Sequence, residues 1–126
     1  MATILIIEDN LEIRENITEI LELEDHTVIT AENGKIGILM ARERLPDLIF
    51  CDLMMPLVNG YEVITELKRD GSTSGIPFIF LTASTEKQNI QTGLSLGAVE
   101  YILKPFTTED LLKAITNVFS KRVDDN

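Results

Sequence analysis

Apolar runs of strand length alternate along the chain with segments whose apolar residues recur at helical spacing. "TILII" at Thr3 to Ile7 is β-branched and ends in "EDN"; Ile13, Ile17, Ile20 and Leu21 then recur as on one face of a helix. "HTVITA" and "ENGKIGILMARERL" repeat the pair, with Ile36, Leu39 and Met40 assigned to one helical face and Pro46 just past its end. "DLIFC" predicts a third strand, followed by a helix carrying Tyr61, Ile64 and Leu67 and a loop "DGSTSGIP". "FIFLT" predicts a fourth strand, and a weaker helix from Lys87 to Ser95 places Ile90 and Leu94 inward, with Gly93 and Gly97 weakening it. "EYIL" is a short fifth strand. The last helix starts at a hydroxyl cap, Thr107 or Thr108, has acids in its first turn, and runs through Leu111, Leu112, Ile115, Val118 and Phe119.

Five strand–helix pairs in strict alternation imply an α/β fold: a parallel sheet with right-handed crossovers and helices on both faces. The almost continuously apolar strands agree, because such strands are buried on both sides. At 126 residues the chain has the length of one domain, and it shows no internal repeat, linker or low-complexity segment. A single domain is expected over residues 1–121, with a short polar tail at 122–126.

Composition narrows the function. No run approaches the ~18 apolar residues of a membrane span, and "MATILIIEDN" lacks the basic start of a secretion signal. The single cysteine, Cys51, cannot form an internal disulfide, which fits a reducing cytoplasm, and reads as a small buried strand residue. With 21 acids against 11 bases the formal charge is -10, so nucleic-acid phosphates would be repelled and direct DNA binding is disfavoured.

Some of the acids look placed. In "PDLIFCDLMMP" one acid, Asp52, sits inside an apolar run, where an ionised carboxylate needs water, a hydrogen-bonding partner or a cation. In open α/β sheets ligands bind beyond the carboxyl ends of the strands. Strand one ends in Glu8 and Asp9, strand three in Asp52, strand four in Thr82, Ala83 and Ser84, and strand five in Lys104 and Pro105. Three carboxylates gathered at one edge repel one another unless a cation faces them. Mg2+, which takes oxygen ligands and is often held by one or two carboxylates with phosphate oxygens, answers that need. Asp9 and Asp52 are candidate direct ligands, Glu8 could hold a coordinated water, and a backbone carbonyl just after Asp52 could complete the shell. Lys104 supplies a mobile cation and Thr82 a hydroxyl donor for a bound anion. Aspartate forms acyl phosphates, so Asp52 is the candidate phosphoryl acceptor.

In order along the chain, "IIEDN", "PDLIFCDLMMP", "NGYEV", "FIFLTA" and "YILKPF" resemble the receiver domain of two-component response regulators, from Thr3 to about Lys121. The resemblance implies a flavodoxin-like, doubly wound (βα)5 fold with strand order 2-1-3-4-5. It implies that Asp52 accepts a phosphoryl group, that Glu8, Asp9, Asp52 and the Met54 carbonyl hold Mg2+ (or Mn2+), and that Lys104 pairs with the phosphoryl group. It also makes Thr82 and Tyr101 a switch pair that repacks the surface of helix four, strand five and helix five. The Lys104–Pro105 bond is expected to be cis, and Met54 and Ser84 stand where the hydrolysis rate is tuned. Apolar Met54 does little to orient an attacking water, so a long-lived phosphorylated state is expected. Asn59, Val99 and Glu100 stand where the family often has acids, without touching this chemistry.

His26, the only histidine, falls at the start of the second strand and is expected at the surface, so the phosphohistidine must come from a partner. The implied partners are a sensor histidine kinase or histidine phosphotransfer protein and a downstream protein target, with no nucleic acid and no membrane. Leu11 reads equally as part of a docking surface or as a helix staple. Dimer formation through helix four, strand five and helix five stays open, as does whether the sequence is a stand-alone protein or a fragment of a longer regulator. Three other readings compete: an aspartyl-phosphate hydrolase, which would carry a second acid where Met54 stands; a flavin-binding module, whose phosphate "EDNLEI" would repel; and a receiver that binds protein without phosphorylation.

Overall fold

The computed structural model describes the backbone of residues 1–124 and the side chains of residues 1–120. The apolar runs form β1 (Thr3–Ile7), β2 (Thr27–Ala31), β3 (Leu48–Asp52), β4 (Phe78–Thr82) and β5 (Glu100–Leu103). Between and after them lie α1 (Leu11–Leu23), α2 (Gly34–Arg44), α3 (Gly60–Arg69), α4 (Lys87–Ser95) and α5 (Thr108–Asp124). The strands make one parallel sheet in the order β2-β1-β3-β4-β5. The backbone of α5 continues beyond Lys121 to Asp124, so 122–124 extend the helix; 125–126 lie outside the described residues.

Alternation at period two sends successive strand residues to opposite faces, and both faces are apolar. Ile4, Ile6, Leu48, Phe50, Ile79 and Leu81 pack against Ile17 and Leu21 of α1 and Leu111, Ala114 and Ile115 of α5. Leu5, Ile7, Ile49, Cys51, Phe78 and Phe80 pack against Ala41 of α2 and Val63, Ile64 and Leu67 of α3. Each such Leu, Ile or Phe side chain contributes roughly 1.5–3 kcal/mol when fully withdrawn from water.

Side-chain caps fix where the helices begin. Asn10, Asn33 and Asn59 each accept a backbone N–H three residues on, and Glu62 completes a reciprocal box at Asn59. Thr107 Oγ1 accepts from Asp110 N while Thr107 N donates to Asp110 Oδ2, which settles the cap of α5 on Thr107.

Two helix faces differ from the sequence reading. Leu39 points to solvent, and the sheet side of α2 is formed by Gly37 and Ala41, because a Cβ at residue 37 would come within 2.5 Å of the Ile7 side chain. In α4 the buried position is Gly93, while Leu94 is exposed. Both helices approach the sheet so closely that small residues take the inward positions.

Since β2 and β3 lie on opposite sides of β1, the strand order reverses between β1 and β3. The carboxyl ends of those strands carry Glu8, Asp9 and Asp52.

Candidate functional site

Glu8 leaves β1 fully buried, held at both carboxylate oxygens. Oε1 accepts from Lys104 Nζ at 2.8 Å and Oε2 from the backbone N–H of Asn10 at 3.2 Å. Arg14, one turn into α1, donates from Nη1 to the Glu8 carbonyl at 2.8 Å and so ties down the turn that carries Glu8 and Asp9. Asp9 is exposed, at the rim. Asp52 ends β3 almost fully buried; its Oδ1 accepts from Met54 N at 3.3 Å and lies 3.5 Å from Lys104 Nζ. One carboxylate oxygen from each of Glu8, Asp9 and Asp52 can be chosen such that all three lie within 4.8 Å of one another.

The electrostatics follow from that crowding. Burial, then the charge of Glu8, pushes the Asp52 carboxyl up from 3.8 to about 7, against the opposing pull of Lys104. Lys104 reaches both acids but is one cation facing three carboxylates. The donor set is all oxygen, hard and anionic, which fits a small divalent cation. Cys51, beside Asp52, has its thiol pushed well up by burial and by the neighbouring acids, so it is inert.

Thr82 ends β4 fully buried, and its Oγ1 accepts the Ser84 N–H at 3.0 Å, leaving the hydroxyl proton free to donate elsewhere. Ser84 Oγ accepts from Glu86 N at 3.3 Å and from Asn89 Nδ2 at 2.8 Å. Tyr101 on β5 is half-buried, its ring 5.4 Å from that of Phe80, and its hydroxyl donates to the Asn89 carbonyl at 2.9 Å. Burial raises its phenol well above the ordinary value. The Lys104–Pro105 bond is cis. Met54 is 68% exposed beside the pocket, and Leu11 is also exposed at the start of α1.

His26 lies at the amino end of β2, opposite the carboxyl edge that bears the acids. It is half-buried rather than at the surface, because its Nδ1 accepts the Ala2 N–H at 3.1 Å and pins the start of the chain; burial and the N-terminal charge lower its pKa. The sequence reading missed Arg14, Asn89 and the hydroxyl of Tyr61, which donates to the same Asn89 carbonyl as Tyr101. "NGYEV" contained Tyr61, but its aromatic ring was accounted for by the core.

A doubly wound sheet with an acidic pocket at its switch point, a lysine bridging two of the acids and a buried hydroxyl on the adjacent strand defines the class of Mg2+-compatible phosphoacceptor folds. The chain belongs to the response regulator receiver domain family, whose model matches residues 4–116. Protein PilH of Pseudomonas aeruginosa is 38% identical over 120 residues, covering 95% of this chain and 99% of PilH. The chemotaxis protein CheY4 of Vibrio cholerae superposes with a TM-score of 0.89 at 30% identity, over 94% of this chain and 98% of that one. The receiver domain of the sensor histidine kinase PA1611 from Pseudomonas aeruginosa, whose structure has a magnesium ion coordinated in the active-site cleft, superposes at 0.85 with 25% identity, over 92% and 95% of the two chains. Other relatives are longer: the chain spans 52% of a phosphate-regulon regulator and 9% of a histidine kinase. The protein is therefore a receiver of the phosphoacceptor signalling type. No helix among the described residues is long and apolar enough to cross a membrane.

Proposed function

We propose that Asp52 takes a phosphoryl group from a partner's phosphohistidine and that the modified protein signals through the surface of α4, β5 and α5. The observation that carries this reading is the convergence of three carboxylates within 4.8 Å with Lys104 Nζ reaching Glu8 and Asp52. An Asp52 Oδ attacks phosphorus, the P–O bond forms as the P–N bond to imidazole breaks, and the leaving imidazole nitrogen takes up a proton. Glu8, Asp9, Asp52 and the Met54 carbonyl are the residues that would hold Mg2+ (Mn2+ being a hard-donor substitute). Bound there, the ion neutralises the acids and draws charge from the oxygens of the transferring group.

The chain's own residues do the rest. Lys104 leaves Glu8 for the new dianion, and Thr82 turns its free hydroxyl proton onto a phosphoryl oxygen. Because Thr82 also accepts the Ser84 N–H, its turn pulls on the segment leading into α4, next to the carbonyl that holds the Tyr101 hydroxyl. The exposed Leu94, Val99 and Leu103 border this region and give it a surface that a protein target or a second copy could read. His26, at the far end of the sheet, cannot be the donor, so a histidine kinase or a histidine phosphotransfer protein supplies the group, in the cytoplasm. The protein assists its own phosphorylation and dephosphorylation without being a turnover enzyme: where a hydrolase would carry an acid/base, Met54 is apolar and exposed. Residues 1–121 constitute the receiver in this reading.

The test is incubation with Mg2+ and acetyl phosphate, followed by intact mass measurement. One phosphoryl group, labile to hydroxylamine and absent from Asp52→Asn, is expected. A label that survives in Asp52→Asn, or repeated turnover of unrelated phosphate esters, would overturn the reading.

A further inference from the structure

Asn89, in the first turn of α4, is where hydrogen bonds from three separate elements meet. Its carbonyl accepts the hydroxyls of Tyr61 from α3 and Tyr101 from β5, each at 2.9 Å. Its side-chain amide donates from Nδ2 to Ser84 Oγ at 2.8 Å, and the Ser84 N–H in turn donates to Thr82 Oγ1 at 3.0 Å. A continuous chain of bonds therefore runs from the strand end beside Asp52 to the two tyrosines, with Asn89 as its junction.

The contact to Ser84 has a specific chemical consequence. A serine hydroxyl has one proton to give and two lone pairs with which to accept. Here both lone pairs are engaged, one by Glu86 N–H at 3.3 Å and one by the Asn89 amide. Ser84 then keeps a proton to donate but has no free lone pair with which to accept. To present its own lone pair to phosphorus, an attacking water needs a neighbour that accepts one of its protons. Ser84, two residues past Thr82, is disabled in that role, and Met54, two residues past Asp52, is apolar and cannot fill it.

We propose that Asn89 is a positioning residue that slows hydrolysis of the phosphoryl group on Asp52 by occupying the acceptor side of Ser84. The proposal rests on Asp52 being the phosphoacceptor. Removing the amide restores a free lone pair to Ser84 without touching the backbone carbonyl that holds Tyr61 and Tyr101.

The experiment follows the decay of phosphorylated protein, loaded with acetyl phosphate and Mg2+ and then freed of donor, for wild type, Asn89→Ala, Ser84→Ala and the double variant. Decay of Asn89→Ala is expected to be roughly three- to tenfold faster than wild type, the scale of one ordinary hydrogen bond. The double variant should decay like Ser84→Ala alone, an identity that general loosening of α4 would not produce. If Asn89→Ala does not fold, Asn89→Asp serves. Its carboxylate cannot donate to Ser84 and takes the hydroxyl proton instead, so it frees the same lone pair and the same acceleration is expected. Unchanged decay in a folded Asn89 variant, or acceleration that persists without the Ser84 hydroxyl, overturns the proposal while leaving Asp52 as acceptor. Absence of any label on Asp52 in wild type overturns both.

Discussion

Replacing Asp52 by asparagine keeps the shape of the side chain and removes one of three crowded negative charges, so it reads out how much that crowding costs the fold. The wild-type carboxyl is raised from 3.8 to about 7, chiefly by burial and then by Glu8. A carboxyl whose folded pKa is raised binds its proton more tightly in the native state. Its favourable contribution is therefore complete below about pH 4 and is lost as pH rises through about 7. At about 1.4 kcal/mol per tenfold, the interval amounts to about 4 kcal/mol at pH 8. Water at the mouth of the pocket and the charge shared among Glu8, Asp52 and Lys104 screen this to about 2 kcal/mol. For a domain of this size that corresponds to roughly 5–10 °C in melting temperature. In buffer with a chelator, Asp52→Asn should melt that much higher than wild type at about pH 8 and nearly with it at about pH 4. Excess MgCl2 should raise wild type and not the variant, closing the gap, since an ion bound only by the native state stabilises it by mass action, about 2.7 kcal/mol at a hundred times Kd. A variant that melts at or below wild type at pH 8 without metal, or a gap that does not change with pH, would refute the electrostatic account of the pocket.

Three further substitutions probe neighbouring features. Lys104→Ala leaves Glu8 fully buried without its 2.8 Å partner, and chemical denaturation in chelator should show a loss of about 3 kcal/mol, partly recovered with Mg2+. Gly93→Ala would gain helix propensity yet bring a Cβ to 2.7 Å from the Tyr101 ring and 2.9 Å from Phe80, so a net loss of about 1–3 kcal/mol is expected by urea melting. Leu57 is 98% exposed with φ of 68°, a left-handed backbone that suits glycine; Leu57→Gly should therefore raise urea stability by up to about 1 kcal/mol.

How far the sequence could be read depended on whether a residue was anomalous for its local setting. Asp52 stood out because a lone charge between Phe50, Cys51 and Leu53 violates the apolar pattern of a central strand, and the structure places it where the strand ends and the acids of β1 come near. Lys104 and Thr82 follow because almost continuously apolar runs mark where each strand stops, and the carboxyl ends of parallel strands share one edge. Leu39 and Leu94 face solvent although the spacing of large apolar residues predicts them inward. In α2 and α4 close approach to the sheet reserves the inward sites for Gly37 and Gly93 instead.

Asn89 could not have been found this way. A polar residue in the first turn of a helix satisfies every local expectation; its amide reaches Ser84 five residues back, while Tyr61 and Tyr101, 28 and 12 residues away, meet its carbonyl only on folding. The acidic pocket itself needs only strand ends and could be assembled from the pattern, whereas the link from that pocket to the α4 surface runs through side-chain and backbone oxygens whose partners the pattern does not specify. In this chain the proposed control of phosphoryl lifetime runs through the Asn89–Ser84 contact, which the strand-end pattern does not specify. Exchanging such contacts between two receivers should transfer decay rates while leaving the acceptor and the metal ligands untouched.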